Sequence, residues 1–368
     1  MDCRKFVLAV AAVLALVTQL VAGSSVTWKG KKVDLAAPPA DFPGDAKEAA
    51  EALVGWADAH GYKLDLDRSG RALVISTSNG SKWVKHAESV LAMVDELHVD
   101  RPEFPRPPPT GPVNPGPGEW PGPAAAKWGT SERRLDTGTF VLVVVKRPED
   151  HGSLLARLAA ITPYLASWAK SSTPAPGFAL GEPLVGAVVL GLPENKEWNA
   201  ENEFVHRAAE LALQRKFGRQ PYWLLQGFAW HAEMEVRRGI YCFPYRSGFV
   251  WAVEHTGWRA RAAALWRGKS EAPLAEVATL KRGTFDDAGA LNAWGAATFL
   301  AEKHAAGFAQ ALDELNRLWE SGSRKDLGGG SWERIPDYEV PVAEQERVLR
   351  AKTRDDLPKA LASWLSPG

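Results

Sequence analysis

Between residues 198 and 233 the chain reads WNAENEFVHRAAELALQRKFGRQPYWLLQGFAWHAE. Asn202 and His206 lie four residues apart and so share a face if the stretch is helical, Glu203 sits between them, and Gln226 follows His206 by 20 positions. A carboxylate and an imidazole side by side can ligate a metal ion or move a proton, whereas the carboxamides of Asn and Gln mainly donate and accept hydrogen bonds. Two helices must position these groups. The first opens at Asn199, a good N-cap, with Glu201 and Glu203 in the turn where the helix dipole favours anions, and closes with Arg215 and Lys216 before Gly218. Phe204, Ala208 and Leu211 form its apolar stripe. The second starts at Pro221 and ends at Arg237, Arg238 and Gly239.

The segment resembles the core of the gluzincin metallopeptidases, most closely the peptidase-MA-like group of bacterial proteins, whose first helix carries H-E-x-x-H and whose second carries W-L-x-E-G. Here the matching residues are Asn202-Glu203-Phe204-Val205-His206 and Trp223-Leu224-Leu225-Gln226-Gly227. The resemblance implies zinc held by the residues at 202, 206 and 226, with Glu203 as general base. His206 is the one remaining ligand of that set; Asn202 and Gln226 are neutral amides at the other two positions. His231, where the family often has a tyrosine, is expected near the site without ligating. The resemblance spans about residues 72–366.

A complete structural zinc site gives roughly 10–16 kcal/mol of apparent binding free energy. His206 alone would supply ~3–4 kcal/mol of it, a roughly millimolar affinity. Without the ion, the water that Glu203 would deprotonate keeps a pKa near ~15.7 instead of ~7. The expectation is therefore a degenerate zinc site with no cofactor, in which Asn202, Glu203, His206 and Gln226 hydrogen-bond one another and Glu203 is idle. The alternative is an active zinc peptidase with unorthodox ligands.

Residues 1–24 have the pattern of a secretory signal: Arg4 and Lys5, an apolar run from Phe6, then Gly23 and Ser24. The expected location is exported, periplasmic or extracellular, with no stable membrane span after cleavage. Without residues 1–24 the chain has 42 basic and 43 acidic residues, so nothing marks a nucleic-acid partner. Cys242 is then the only cysteine, which excludes an internal disulfide.

The expected fold is α+β, with a gluzincin-like (zincin) core: a mixed sheet with an edge strand and a motif helix, followed by a mainly helical C-terminal part. Residues 25–101 form an N-terminal α/β segment with helices at 45–60 and 81–98 and strands in KLDLD and RALVIST. Residues 102–127 are a linker or loop, with ten prolines between Pro102 and Pro123 that forbid regular structure. Residues 128–220 hold the strand TFVLVVVK, a helix over 152–168, the strand 184–190 and the motif helix. Residues 221–368 supply helices at 250–266, 288–305, 307–320 and 355–365. By the resemblance, strand 184–190 is the sheet edge that pairs with an extended peptide, so a peptide or protein in the cleft is the expected partner; the other reading of the same residues is an ordinary buried strand with its edge covered.

Other constellations carry less. His231 falls about 140° round the helix from Gln226. Glu203 and His206 also make the E-x-x-H of di-iron bundles, but the second copy that such a site needs is absent from the sequence. Cys242 has no base placed near it by any motif, and the 16 tryptophans would suit stacking on sugars, but several fall on apolar helix faces, as core packing requires.

Overall fold

The structure is a computed structural model that describes residues 25–35, 37–42, 44–99, 138–190, 199–244, 256–267, 274–281, 283–328, 331–335 and 338–365. The expected leader, the proline-rich stretch 102–127 and residues 250–255 of an expected helix lie outside the described residues.

Strands β1 (Ser25–Trp28), β2 (Lys31–Asp34), β3 (Lys63–Leu66), β4 (Ala72–Ser76), β5 (Phe140–Val145), β6 (Gly177–Leu180) and β7 (Val185–Val189) form one sheet in the order β2-β1-β3-β4-β5-β7-β6. β4, β5 and β7 run parallel to one another in the middle, while β3 and β6 flank them antiparallel to β4 and β7. The central strands are buried along their whole length. Their unbroken apolar runs are what a sheet covered on both faces demands.

Alternation along β5 divides the interior in two. Val141, Val143 and Val145 face a core with helices α1 (Gly44–Ala59) and α3 (Pro148–Ile161), through Leu53, Trp56, Leu154 and Leu158. Phe140, Leu142 and Val144 face the opposite core, shared with α2 (Gly80–Glu96) and α5 (Ala200–Phe217). Beyond α5 lie α6 (Tyr222–Arg237), α7 (Trp258–Trp266), α8 (Leu274–Ala278), α9 (Asp287–Lys303), α10 (Ala305–Gly322), α11 (Val342–Lys352) and α12 (Leu357–Leu365), with a β8–β9 hairpin (Arg324–Gly328, Ser331–Arg334) after α10. The chain is thus an α+β protein with a mixed sheet and a mainly helical C-terminal half. Among the described residues no helix is long and apolar enough to cross a membrane.

Three expectations change. Strand 184–190 is internal, flanked by β5 and β7's antiparallel partner β6, so β6 takes the edge that was assigned to it. The four residues of β6 were too short a run to read as a strand. The helix expected over 152–168 starts earlier, at Pro148, where a proline suits the first turn. It stops at Ile161 because Pro163 has no N–H to donate and disfavours helical backbone before it; a 3₁₀ turn and α4 (Ala166–Ser172) follow. Helix α11 was not foreseen.

Helix α5 is the pivot of the second core. Asn199 caps it as expected, its side chain accepting from the backbone N–H groups of Glu201 and Asn202. Every residue from Asn202 to Phe217 is buried. It is therefore a central helix enclosed all round, with burial that extends well beyond the apolar stripe of Phe204, Ala208 and Leu211. The turn into α6 needs Gly218, at φ 71°, where a Cβ would meet Asn316 Oδ1 at 2.1 Å. On α6, Gly227 lets the helix approach α9 so closely that a Cβ would stand 2.3 Å from the Ala293 carbonyl oxygen. These contacts seat the α5–α6 turn against α10 and α6 against α9.

Candidate functional site

Because α5 is enclosed, its polar residues can be satisfied only by one another and by α6. His206 is fully buried and uses both ring nitrogens: Nδ1 lies 2.8 Å from Glu233 Oε1 and Nε2 lies 3.0 Å from Gln226 Oε1. Asn202 Nδ2 donates to Glu233 Oε2 at 2.9 Å and to the Gly239 carbonyl. Gln226 Nε2 donates to Glu210, and Glu210 Oε2 accepts from Arg207 Nη1 at 3.0 Å. Arg207 also grips Glu203 Oε1 through Nε at 2.9 Å and Nη2 at 2.7 Å. The chain of contacts runs from Asn202 through Glu233, His206, Gln226, Glu210 and Arg207 to Glu203.

The hydrogen-bond roles follow from the partners. Gln226 must turn its NH₂ to the Glu210 carboxylate, since the reverse would set two acceptors face to face, so its carbonyl oxygen faces His206. His206 Nε2 therefore carries a hydrogen, and a single proton is shared between Nδ1 and Glu233. Glu233 Oε2 accepts three N–H groups, from Asn202 and from the backbones of Tyr241 at 2.8 Å and Cys242 at 3.2 Å. Burial raises the Glu233 carboxyl above its ordinary range, with His206 opposing that rise. For Glu203 burial is the largest single effect and acts upward, but the Arg207 guanidinium, the Cys242 thiol and His206 together outweigh it and hold the carboxyl below its usual value.

Of the four residues singled out in the sequence, the structure joins only some directly. His206 and Gln226 touch directly. Asn202 meets His206 through Glu233, and Glu203 faces away to Arg207. Glu233, Glu210 and Arg207 were missed, although Glu203, Arg207 and Glu210 at spacings of four and three mark one helix face. Glu233 follows Gln226 by two helical turns and so shares its face. Cys242 belongs to the site as well: its thiol is buried beside Arg207, with Nη2 at 3.6 Å, and burial pushes its pKa well up. His231 stays outside the network, packed near Phe228, with ring centroids 5.9 Å apart.

The zinc that the resemblance implies does not suit these donors. Asn202 turns its NH₂, which has no lone pair to give, toward Glu233 and Gly239, and Gln226 gives its oxygen to His206. The residues at 202, 206 and 226 do not fit the ion. A different trio, His206, Glu233 and Cys242, brings ligand-type atoms within 4.8 Å of one another. Two ligands of a tetrahedral zinc stand about 3.3 Å apart, whereas His206 Nδ1 and Glu233 Oε1 are 2.8 Å apart, a hydrogen-bond distance. The Arg207 guanidinium against a protonated thiol disfavours a cation there further.

The relation of the site to the sheet is set by another glycine. A Cβ on Gly177 of β6 would lie 2.7 Å from both Glu203 Oε1 and the Ala187 carbonyl oxygen. The missing side chain lets Glu203 lie directly against the edge strand.

His231 has a consequence of its own. It is 6% exposed, its Nδ1 has no partner, and burial lowers its pKa from 6.5 to about 4. A folded-state value below the unfolded one means its contribution is present above pH ~6.5 and is lost as pH falls toward ~4. Relative to neutral pH, it should cost about 2 kcal/mol of stability by pH 5. His231→Phe should remove that part of the acid sensitivity in urea denaturations at pH 7 and pH 5; an unchanged difference between the two would refute the assignment.

No known protein-family model matches the chain, and no curated protein matches it.

Proposed function

We propose that this is an exported, non-hydrolytic relative of the gluzincin peptidases that binds an extended peptide or protein segment. On this reading α5 and α6 are the former metal-binding helices of a zincin-like core. The observation that carries it is the contact between His206 and Gln226, 20 residues apart at the family's spacing, closed by Glu233 and Glu210 into a network where an ion would be ligated. Glu203, the base position, is neutralised by Arg207 and has no activated water to act on.

What supports retained binding is the position of β6. The Val189 N–H donates to the Pro176 carbonyl at 2.8 Å, and alternation from that pair turns Phe178 and Leu180 toward β7. Ala179 then directs its N–H and C=O to the outer edge of the sheet, two residues along from Gly177, against which Glu203 lies. An extended chain adding there would gain main-chain hydrogen bonds without any chemistry.

The test is a fluorescence-polarisation screen of extended peptides against the wild type and Ala179→Pro. Proline at an outward-facing edge position removes the donor and leaves the β7 ladder intact. Binding should weaken at least ~10-fold, as expected for loss of about 1.4 kcal/mol of main-chain contact, with the fold unchanged by circular dichroism. Equal binding by both proteins, or none by the wild type, would contradict the peptide-binding reading.

A further inference from the structure

On the opposite side of the sheet from this network, helices α1 and α3 meet at a second polar group. His60, just past the end of α1, places Nδ1 2.7 Å from the Trp56 carbonyl oxygen. A carbonyl accepts only, so Nδ1 carries the hydrogen and Nε2 keeps its lone pair. That lone pair faces Ser153 Oγ on α3 at 3.0 Å. The imidazole is held in place from a second side by stacking on the Trp56 ring, with centroids 4.9 Å apart and planes at 21°. Ser153 Oγ also accepts from Trp56 Nε1 at 2.8 Å and has the Asp150 carbonyl at 3.0 Å as a second acceptor. Of its two acceptors only the imidazole can take the proton away.

A hydroxyl, a base at hydrogen-bond distance and a third group that fixes the base's tautomer are the parts of an activated nucleophile. Both side chains are half-buried, and nothing lies within 4 Å of where a Cβ on the neighbouring Gly61 or Gly152 would project. The site is therefore open to a small reagent, and it is independent of the peptide-binding reading.

We propose that Ser153 and His60 form a nucleophile–base pair that accepts the acyl group of an ester. Ser153 Oγ bonds to the ester carbonyl carbon while its proton passes to His60 Nε2. The C–O bond to the alcohol then breaks, and the alcohol oxygen takes that proton. Water reverses the sequence: it attacks the acyl carbon and gives its proton to Nε2, which returns it to Ser153 Oγ as the carboxylic acid departs.

The test uses the full chain with p-nitrophenyl acetate, read by peptide mapping at Ser153 and by nitrophenolate release. The expected result is acetylation at Ser153, absent in Ser153→Ala and about 100-fold slower in His60→Gln, with partial rescue by added imidazole. Thermal midpoints of both variants report their fold. A wild type that carries no acetyl at Ser153 would overturn the proposal, and that result does not depend on either variant folding. Acetylation of His60→Gln at the wild-type rate would overturn it too, leaving the bridge as a tie between α1 and α3.

Discussion

Replacing Arg207 by methionine should destabilise the folded chain by about 3–5 kcal/mol, the range for removing one partner of a buried ion pair. Arg207 is the only cation in contact with both Glu203 and Glu210 among the described residues, and all three are buried. Methionine fills a similar volume, so lost packing contributes little and the cost measures the stranded carboxylates. Adding Glu203→Gln to Arg207→Met should recover a large part of the loss, because one buried charge is then gone. Chemical denaturation of the two single variants and the double variant supplies the cycle. The sign of the pH dependence follows from Glu203: its pKa is lowered in the folded wild type, so the stability it contributes is present above its unfolded value and is lost as pH falls through the folded one. The gap between wild type and Arg207→Met should narrow in acid. A loss below 1 kcal/mol at neutral pH would show that the ion pair is not closed from solvent.

Glu233→Ala should cost a similar ~3–5 kcal/mol, and for a separable reason. It strands the Asn202 NH₂, the backbone N–H groups of Tyr241 and Cys242, and His206 Nδ1, all of which Glu233 satisfies. Glu233→Gln is the informative comparison. Its carbonyl oxygen can keep the three N–H donors, and its NH₂ can donate to His206 Nδ1 if the imidazole is neutral and carries its hydrogen on Nε2. That is the tautomer which Gln226 already imposes. Glu233→Gln should therefore cost only about 1 kcal/mol. If glutamine proves as damaging as alanine, the proton assignment at His206 is wrong.

How much of this was legible beforehand depended on the range of the signal. The ends of α5 and α6 were written locally, in the Asn199 cap, Gly218, Pro221 and the left-handed Arg238. The buried strands β5 and β7 announced themselves as uninterrupted apolar runs. The pairing of His206 with Gln226 was legible because the spacing between two helices joined by a tight turn is nearly fixed. The role of Glu233 was not, since a glutamate near the end of a helix reads as a solvated residue until the Gly239–Cys242 backbone is seen folding over it. The complete enclosure of α5 was hidden for the same reason: α2, α6 and β5 to β7 wall it in from distant parts of the chain. The edge strand was misplaced because β6, only four residues long, owes its conformation to pairing with β7 and not to its own composition.

On the proposed reading, hydrogen bonds occupy the place where a peptidase of this pattern would hold zinc. That reading is tested most directly by zinc titration of the purified, chelator-washed chain, followed by elemental analysis. The expected result is at best millimolar binding by the wild type, with affinity gained by at least ~1,000-fold in Asn202→His with Gln226→Glu, which restores an imidazole and a carboxylate. Stoichiometric zinc in the unaltered chain, lost in His206→Ala and accompanied by peptide cleavage that a chelator stops, would contradict it.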